Sequence, residues 1–495
     1  MAARSLAVEG SPPPESWRLD PACAAQTQGL LVSPFGHLEA GSALFLTLPD
    51  KAGGGWLKAL RAAIPITDAT GKTSPCTAIA FTHSGLAAMG LESAALSSFS
   101  EPFVEGLFQA DRRRRLSDED SLVVAGGPLW GGGTTKNTPT LAVVHAVLLL
   151  YAEDAATAAA LGAKAHAALA ANRIFVSRQI ATSLMFDQAG IAREHFGFAD
   201  GISQPTPFGA SIQTPGGAPM PPDPWHGMAA GDILMGHVDA HGEPAPGPLV
   251  QESAAAATLP QGNAPEGFRD LGLNGSYLVI RELRQDVARF WRSMDTAVAT
   301  LADPAIESTG LAQRAVGRTL NGDVLSPNGP LPPQGGQPQN SFGYLARDPH
   351  GFGCPMGSHI RRANPRDGLA PTPKLGPDLL HAANNHRIMR RGRKFGAPLA
   401  DPRLDDGQDR GLLFMALNTD LVRQFEFVQQ NWMLNQTFAV LFDETDPLLG
   451  PAGPFTLPAT PLRRRAQVET YIQLVGGEYF FLPSLPALDY LGGLT

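Results

Sequence analysis

Short apolar runs, each followed by a polar break and an amphipathic stretch, recur along the chain and predict units of a strand and a helix. Three units fall in the first 171 residues: "ALFLTLPD" before "GGGWLKALRAAI", then "AIAFTHSGLAAMGL", then "HAVLLLYAED" before the alanine-rich residues 155–171. Two more follow in the second half, "GSYLVIRELRQDVARFWRSM" and "GLLFMALNTDLVRQFEFVQQNWM". We therefore expect related strand-helix modules in the two halves of the chain.

The two later units carry apolar stripes at helical spacing. The first stripe is Leu283, Val287, Phe290, Met294 and Val298. The second is Leu421, Phe425, Val428 and Trp432. Such stripes predict helices that pack one face on a sheet. The whole pattern predicts an α+β fold made of duplicated ferredoxin-like modules, each an antiparallel sheet with peripheral helices.

Proline and glycine separate the two modules. Residues 205–274 form a Pro/Gly-rich insert, and its segment "PTPFGASIQTPGGAPMPPDPW" is too rich in both residues for regular structure. We assign residues 1–40 to an N-terminal extension, 41–204 to the first module and 275–495 to the second. A second irregular stretch covers residues 326–344. Loops of this length are either covers over a functional site or surface excursions, and the sequence leaves both readings open.

Composition and charge narrow the functional classes. The chain has 495 residues, 43% of them hydrophobic, and a formal net charge of −8, which argues against a nucleic-acid-binding surface. Arg112 to Arg115 form one basic run, but the acidic "SDED" from Ser117 to Asp120 follows at once. We expect the two runs to neutralise each other on a solvated loop.

Cysteine spacing and hydropathy bear on location. The three cysteines lie far apart and predict neither a disulfide framework nor a thiolate zinc site. The first twenty residues lack the apolar core of a secretory signal, and the longest apolar run, residues 141–151, is too short to span a bilayer. We expect a cytoplasmic protein with no membrane partner, with export by a non-standard route left open.

Three dense motifs contain candidate chemical groups. "HFGFADGISQP" sets Asp200 between Gly197 and Gly201, which is either a surface turn or a carboxylate placed where other groups approach closely. In "DPHGFGCPMGSHIRRANPRD", His359 follows a glycine-rich turn and precedes several arginines. A neutral imidazole with small neighbours suits haem, and the arginines suit its propionates. The alternative is a hydrogen-bonded loop histidine among surface arginines.

The third motif, "NNHRIMRRGRKFG", alternates like an edge strand. Arg387, Met389 and Arg391 would share one face, and Ile388 and Arg390 the other. Arg390 then shares its face with an apolar residue, which favours an inward guanidinium with an anionic partner. Exposed arginines on a strand are the common alternative.

Together these motifs resemble the dye-decolorizing peroxidases. The matching segments are GxxDG at Gly197–Gly201, CPxGxH at Cys354–His359 with "RRANPRD" after it, and "HRIMRRG". "FTHSGLAAMGL", "NTDLVRQFEFVQQNWM" and "GGEYFFLPSLPAL" also match, and the set lies in family order between Phe81 and Leu488. The length and the inserts are similar to the larger, advanced branch. The resemblance implies two ferredoxin-like modules with haem b in the C-terminal one.

The resemblance also implies roles for individual residues on the two sides of the haem. His359 matches the proximal iron ligand, and the acid that bonds its other nitrogen stays open between Asp446, Asp443 and Glu444.

On the other side, Asp200 matches the distal acid and Arg390 the distal arginine. Leu412 and Phe414 match apolar residues that line the distal pocket, and Arg366 matches a propionate-binding arginine.

The implied activity is that of a haem b peroxidase. It would reduce hydrogen peroxide through an oxo-ferryl intermediate, with Asp200 as acid and base, and oxidise dyes, phenolics or other organic reductants. Whether the chain forms a homo-oligomer is left open. The alternative is a haem protein of the same fold that breaks down chlorite, decarboxylates porphyrin, or carries or senses haem. None of these would be expected to need Asp200.

Overall fold

The computed structural model describes residues 19–71, 74–118, 122–133, 142–208, 224–301, 303–334 and 336–495. The α-helices are α1 Pro21–Gln26, α2 Gly55–Ala63, α3 His83–Ala88, α4 Ser93–Ser97, α5 Glu101–Glu105, α6 Ala110–Arg115, α7 Ala155–Ala171, α8 Val287–Leu301, α9 Ser308–Val316, α10 His359–Ala363, α11 Gly376–Asn384 and α12 Leu485–Gly492. None of these described helices is both long enough and apolar enough to cross a membrane.

The strands of the described residues are β1 Ala40–Thr47, β2 Cys76–Phe81, β3 Trp130–Gly131, β4 Ala142–Val143, β5 Ala146–Ala152, β6 Phe175–Ser183, β7 Thr206–Phe208, β8 Gly227–Ala229, β9 Leu249–Gln251, β10 Phe268–Asp270, β11 Ser276–Gln285, β12 Met389–Arg390, β13 Arg393–Phe395, β14 Gly411–Asn418, β15 Gly453–Leu457, β16 Arg464–Val468 and β17 Ile472–Leu482. Two further segments, Val422–Glu426 and Val428–Met433, are π-helical.

Four strands of the N-terminal half form an antiparallel sheet in the order β6–β1–β5–β2. Along the chain they are connected as β1–α2–β2, then β5–α7–β6. The α7 helix begins where the Asp154 carboxylate accepts a hydrogen bond from the Thr157 amide at 2.8 Å, an arrangement typical of helix N-caps. This connectivity is that of a ferredoxin-like module.

Four strands of the C-terminal half repeat this arrangement in the order β17–β11–β14–β13. The chain runs from β11 through α8 to β13 and β14, and through the π-helical segments to β17. The prediction of duplicated ferredoxin-like modules is therefore confirmed.

The predicted helical stripes need two corrections. Leu283 lies in β11 and not in the helix, and residues 422–433 form wider π-helical turns in place of an α-helix.

The two sheets meet edge to edge at two narrow points. Ser183 of β6 pairs with Lys394 of β13, and Phe81 of β2 pairs with Phe481 of β17. The inner faces enclose a shared core that includes Ala43, Phe45, Val147, Leu149, Leu278, Ile280, Leu413, Met415 and Phe480. Because strand side chains alternate, the next residues along β11 and β14 point to the outer face of the second sheet.

The basic run of the sequence is not a solvated loop. Arg112 is buried in α6, and its guanidinium lies 2.6 Å from Glu426 and 3.0 Å from Glu105. Asp118, from the acidic run, pairs with Arg281 on β11. For Arg112 and Asp118 the prediction of mutual neutralisation was wrong, because their ion-pair partners lie outside both runs. The rest of the acidic run, residues 119 and 120, lies outside the described residues.

Candidate active site

A cavity of about 360 Å³ lies on the outer face of the second sheet. Leu283 of β11 and Leu412 and Phe414 of β14 form part of its wall. Other parts of the wall come from α10, the π-helical segments and residues 194–205, and Trp225 and His226 of the Pro/Gly-rich insert also contribute. Most of this surface is apolar, so the few charged groups in it stand out.

His359 enters the cavity wall as the first residue of α10. The turn before it is tight, since a Cβ on Gly353 would lie 2.1 Å from the backbone carbon of Ser326. The Ser358 hydroxyl donates to the backbone oxygen of Arg314 at 2.5 Å and ties the start of α10 to α9. The imidazole therefore sits on a rigid part of the fold.

One of the three acids left open by the sequence contacts His359. The Nδ1 of His359 lies 3.0 Å from Asp446 Oδ2. Asp443 instead pairs with Arg465 at the surface, and Glu444 accepts a hydrogen bond from a backbone amide. With Nδ1 engaged by a carboxylate, the other nitrogen, Nε2, is the one available to a metal.

Asp446 is held by several donors at once. Its Oδ1 accepts hydrogen bonds from the Leu448 and Leu449 amides at 2.9 and 2.8 Å. Burial alone would raise the pKa of this carboxyl, but His359 and the amide donors lower the pKa below its ordinary value. Asp446 is thus a buried, ionised partner of the imidazole.

Asp200 lies elsewhere in the wall of the same cavity. Gly197 and Gly201 adopt φ of +100° and +77°, a region that glycine enters without strain. An added Cβ would meet no atom within 4 Å at either position. The glycines therefore allow the backbone to adopt these positive φ values and are not required for close packing. The turn directs the Asp200 carboxylate to the cavity.

Positive charges surround the Asp200 carboxylate. Its Oδ2 lies 3.0 Å from the Lys394 ammonium, and its Oδ1 accepts the Gly201 amide at 2.7 Å. Burial alone would raise the pKa of Asp200, but the charges of Lys394 and Arg390 lower the pKa below the ordinary aspartate value. The acid is therefore ionised well into the acidic range.

Arg390 is half-buried and lines the cavity together with Ile388. Its Nη2 donates to the backbone oxygen of Ser203 at 3.1 Å. Arg391 points the other way, between the sheets, and donates to backbone oxygens at 2.7 and 2.8 Å. The alternation thus separates Arg390 from Arg391 as the sequence pattern predicts. The prediction was wrong for Arg387, which precedes the strand and lines the cavity as well.

Comparison with known proteins gives this site a context. No family model matches the chain. The multifunctional dye peroxidase DyP2 of Amycolatopsis sp. is 31% identical in an alignment 320 residues long, which covers 60% of this chain and 61% of that protein. The aligned region thus spans about three fifths of that curated relative's length.

Solved structures extend the likeness to the fold. The DyP-type peroxidase of Anabaena sp. superposes with a TM-score of 0.72 at 22% identity and covers 95% of each chain. A dye-decolorizing peroxidase in complex with 2,6-dimethoxyphenol gives a TM-score of 0.69 at 23% identity, with 95% of this chain and 99% of that chain covered. The chain is related to the dye-decolorizing peroxidases and shares their fold.

Within this dye-decolorizing peroxidase fold, most of the residues predicted from the sequence meet in one place. Five of them line the cavity: Asp200, His359, Arg390, Leu412 and Phe414. Arg366 does not. It is buried behind the wall, where it donates to Asn340 Oδ1 at 3.0 Å and stacks on the Phe342 ring.

Sequence reasoning missed three cations at or near the cavity, Arg281, Arg318 and Lys394. Arg318 and Asn340 line the end of the cavity that Arg366 supports from behind. Lys394 pairs with Asp200. The sequence contained a signal for this position, because the alternation that turns Ile388 and Arg390 to the cavity continues through Gly392 to Lys394.

The insert also reaches the site. Trp225 and His226 line the cavity, and the Arg387 guanidinium donates to the backbone oxygens of Trp225 and Gly227, both at 2.6 Å. Residues 209–223 lie outside the described residues. Trp225 and His226 of the insert are therefore part of the cavity wall.

Proposed function

We propose that this protein is a haem peroxidase of the dye-decolorizing type, which reduces hydrogen peroxide while it oxidises dyes, phenolics or other organic donors. One observation carries the proposal: the His359–Asp446 pair and an ionised Asp200 beside Arg390 share one apolar cavity. The relationship to peroxidases of this type adds support. A haem carrier would use the histidine but would have no use for the acid and the arginine.

The cavity suits haem b. His359 would bind the iron through Nε2, and the apolar wall would face the porphyrin. Arg318 bonds to the neutral oxygens of Gly322, Gln339 and Asn340. Burial and the like charge of Arg366 lower the pKa of Arg318 to about 10, so an anionic propionate beside Arg318 would be stabilised. Bound haem supplies the redox chemistry between peroxide and donor.

On the His359 side of the cavity, the residues of the chain would orient the imidazole. Asp446 accepts a hydrogen bond from the Nδ1–H of His359, fixes the tautomer and the plane of the ring, and makes Nε2 a stronger electron donor. The two amides that bond Asp446 keep the carboxylate in place. The pair would therefore hold the same geometry throughout turnover.

On the Asp200 side of the cavity, the residues of the chain would transfer a proton. The Asp200 carboxylate would accept a proton from one peroxide oxygen and return it to the departing oxygen. Arg390 would stabilise negative charge on that departing oxygen. Leu412 and Phe414 would keep the site dry and small, which strengthens both interactions.

The same proposal assigns the modules their tasks. The C-terminal module, residues 275–495, would hold the cofactor, and the N-terminal module, residues 41–204, would supply Asp200 from its last loop. The insert, residues 205–274, would cover part of the cavity, and residues 1–40 would be an extension of the first module.

The visible absorption spectrum of the purified protein tests the proposal, recorded before and after one equivalent of hydrogen peroxide. We expect a Soret band that shifts with peroxide and returns on addition of 2,6-dimethoxyphenol. A Soret band that ignores peroxide would favour a carrier or sensor. Absence of haem even after reconstitution would overturn the proposal.

A further inference from the structure

Lys394 is a buried ammonium directly behind the Asp200 carboxylate. The Lys394 side chain is 4% exposed, and Nζ lies 3.0 Å from Asp200 Oδ2. The Asp200 side chain is 30% exposed and lines the cavity, whereas Lys394 is not part of the cavity wall. The carboxylate thus separates the ammonium from the space where a substrate would bind. A buried ammonium is costly unless it is paired, so this contact is a strong one.

The backbone fixes where the ammonium lies. Lys394 is the central residue of β13 and pairs with Leu412 of β14 on one side and Ser183 of β6 on the other. The second pairing is also one of the two points where the sheets of the two modules meet. The strand cannot move without disturbing both modules, so the backbone position from which the Lys394 side chain reaches Asp200 is fixed.

Other charged groups face Asp200, but they act differently. Arg390 adds a second positive charge and is tied to Ser203. Glu194 is a second acid near Asp200, and burial first and then the charge of Asp200 raise the pKa of Glu194. His195 is neutral near pH 7, since burial lowers the pKa of His195 to about 4 despite its bond to a backbone oxygen. Lys394 is therefore the cation that contacts Asp200 directly.

We propose that Lys394 is a positioning residue that holds Asp200 ionised and turned to the cavity. The carboxylate then accepts a proton from peroxide in more acidic solution than it would without the ammonium behind it. This inference rests on the proposed function for its use of peroxide, but the ion pair itself is a property of the chain alone.

The titration of Asp200 tests the pair without any cofactor. The full-length chain is labelled with carboxyl-¹³C aspartate, and its carboxyl resonances are followed by NMR against pH. The resonance that is present in the wild-type spectrum and missing from the Asp200→Asn spectrum is assigned to Asp200. We expect a wild-type midpoint below the ordinary value of about 3.9. Lys394→Met should raise the midpoint by about one unit or more, and Lys394→Arg should restore it. An unchanged midpoint in Lys394→Met overturns the inference.

If Lys394→Met fails to fold, Lys394→Gln is measured against the same criterion, since its amide fits the site without the charge. The double variant Asp200→Asn/Lys394→Met then shows whether the unpaired carboxylate caused the failure, because folding should return when both charges are removed.

The second measurement uses the haem-loaded enzyme and the rate of its reaction with peroxide against pH. The midpoint of the fall in rate on the acid side should move up in Lys394→Met by the shift found in the titration, whatever the plateau rate, and Lys394→Arg should follow the wild type. A merely structural lysine would lower the plateau and leave the midpoint in place. A wild-type chain that binds no haem overturns the proposed function, and that failure is distinct from an unshifted titration.

Discussion

Two aspartates serve the cavity from different depths, and both have a pKa below the ordinary value. Asp446 has a side chain with 0% exposure, whereas that of Asp200 is 30% exposed. Asp446 is bonded by one imidazole and two backbone amides. Asp200 is bonded by one backbone amide and an ammonium. In both, burial opposes ionisation and the neighbouring donors outweigh it.

The difference in access separates their tasks. Asp446 does not line the cavity and lies behind His359, so it can orient the imidazole but does not meet a bound peroxide. Asp200 presents a carboxylate edge to the cavity and can meet it. In the proposed function, two ionised residues of the same type would thus serve orientation in one case and proton transfer in the other.

Removing the imidazole between Asp446 and the cavity should have the largest effect. His359→Ala leaves no nitrogen for iron, so we expect loss of bound haem and a fall in peroxidase activity of about a thousandfold or more. Haem content by absorbance and initial rates with a dye check this. His241→Ala, at an exposed histidine, is the matched control. Full haem occupancy in His359→Ala would contradict the assignment.

The next largest effect should come from Asp200→Asn, which keeps size and shape but cannot accept the proton. We expect the rate of reaction with peroxide to fall by about 10²- to 10⁴-fold while haem stays bound. Stopped-flow absorbance measures the rate. Asp295→Asn, which alters a surface ion pair with Arg403, serves as control. A normal rate in Asp200→Asn would remove this residue from the mechanism.

A smaller effect is expected for Asp446→Asn, because the imidazole remains and loses only its charged partner. We expect haem affinity or activity to fall by about 10- to 100-fold. Asp443→Asn provides a close control three residues away, since Asp443 pairs with Arg465 at the surface. Equal losses in both variants would show that the bond to His359 has no special importance.

Much of the fold could be predicted from the sequence, because strand and helix periods are local properties. The strand-helix units at β1–α2, β5–α7 and β11–α8 follow directly from apolar spacing. The π-helical turns of residues 422–433 could not be predicted, since an apolar spacing of four, three and four residues fits an α-helix equally well. Tertiary packing against the cavity, and not the local pattern, decides this geometry.

Site residues could be predicted where they lie in a recognisable sequence motif. They could not be predicted where their position depends on contacts between residues far apart in the sequence. Asp200, His359 and Arg390 lie in dense motifs. The choice of Asp446 over Asp443 required the structure, because the acids differ only in which way a loop turns them. Arg318, not Arg366, reaches the cavity wall, and no spacing in the sequence shows which guanidinium stays behind the wall.

The smallest expected effect is on the pH dependence of stability, where the two aspartates act alike. A folded pKa below the unfolded value of about 3.9 gives stability that is present above that value and is lost as pH falls through the folded pKa. Between pH 5 and 3, the free energy of unfolding of the haem-free chain should therefore fall more steeply in the wild type than in Asp446→Asn or Asp200→Asn, by on the order of 1 kcal/mol for each. Urea titrations at each pH measure it. Asp232, whose pKa burial raises to about 6, changes stability in the opposite direction, but this contribution is common to all three proteins and cancels in the differences. Parallel profiles would mean that the donors around these carboxylates do no more than offset their burial.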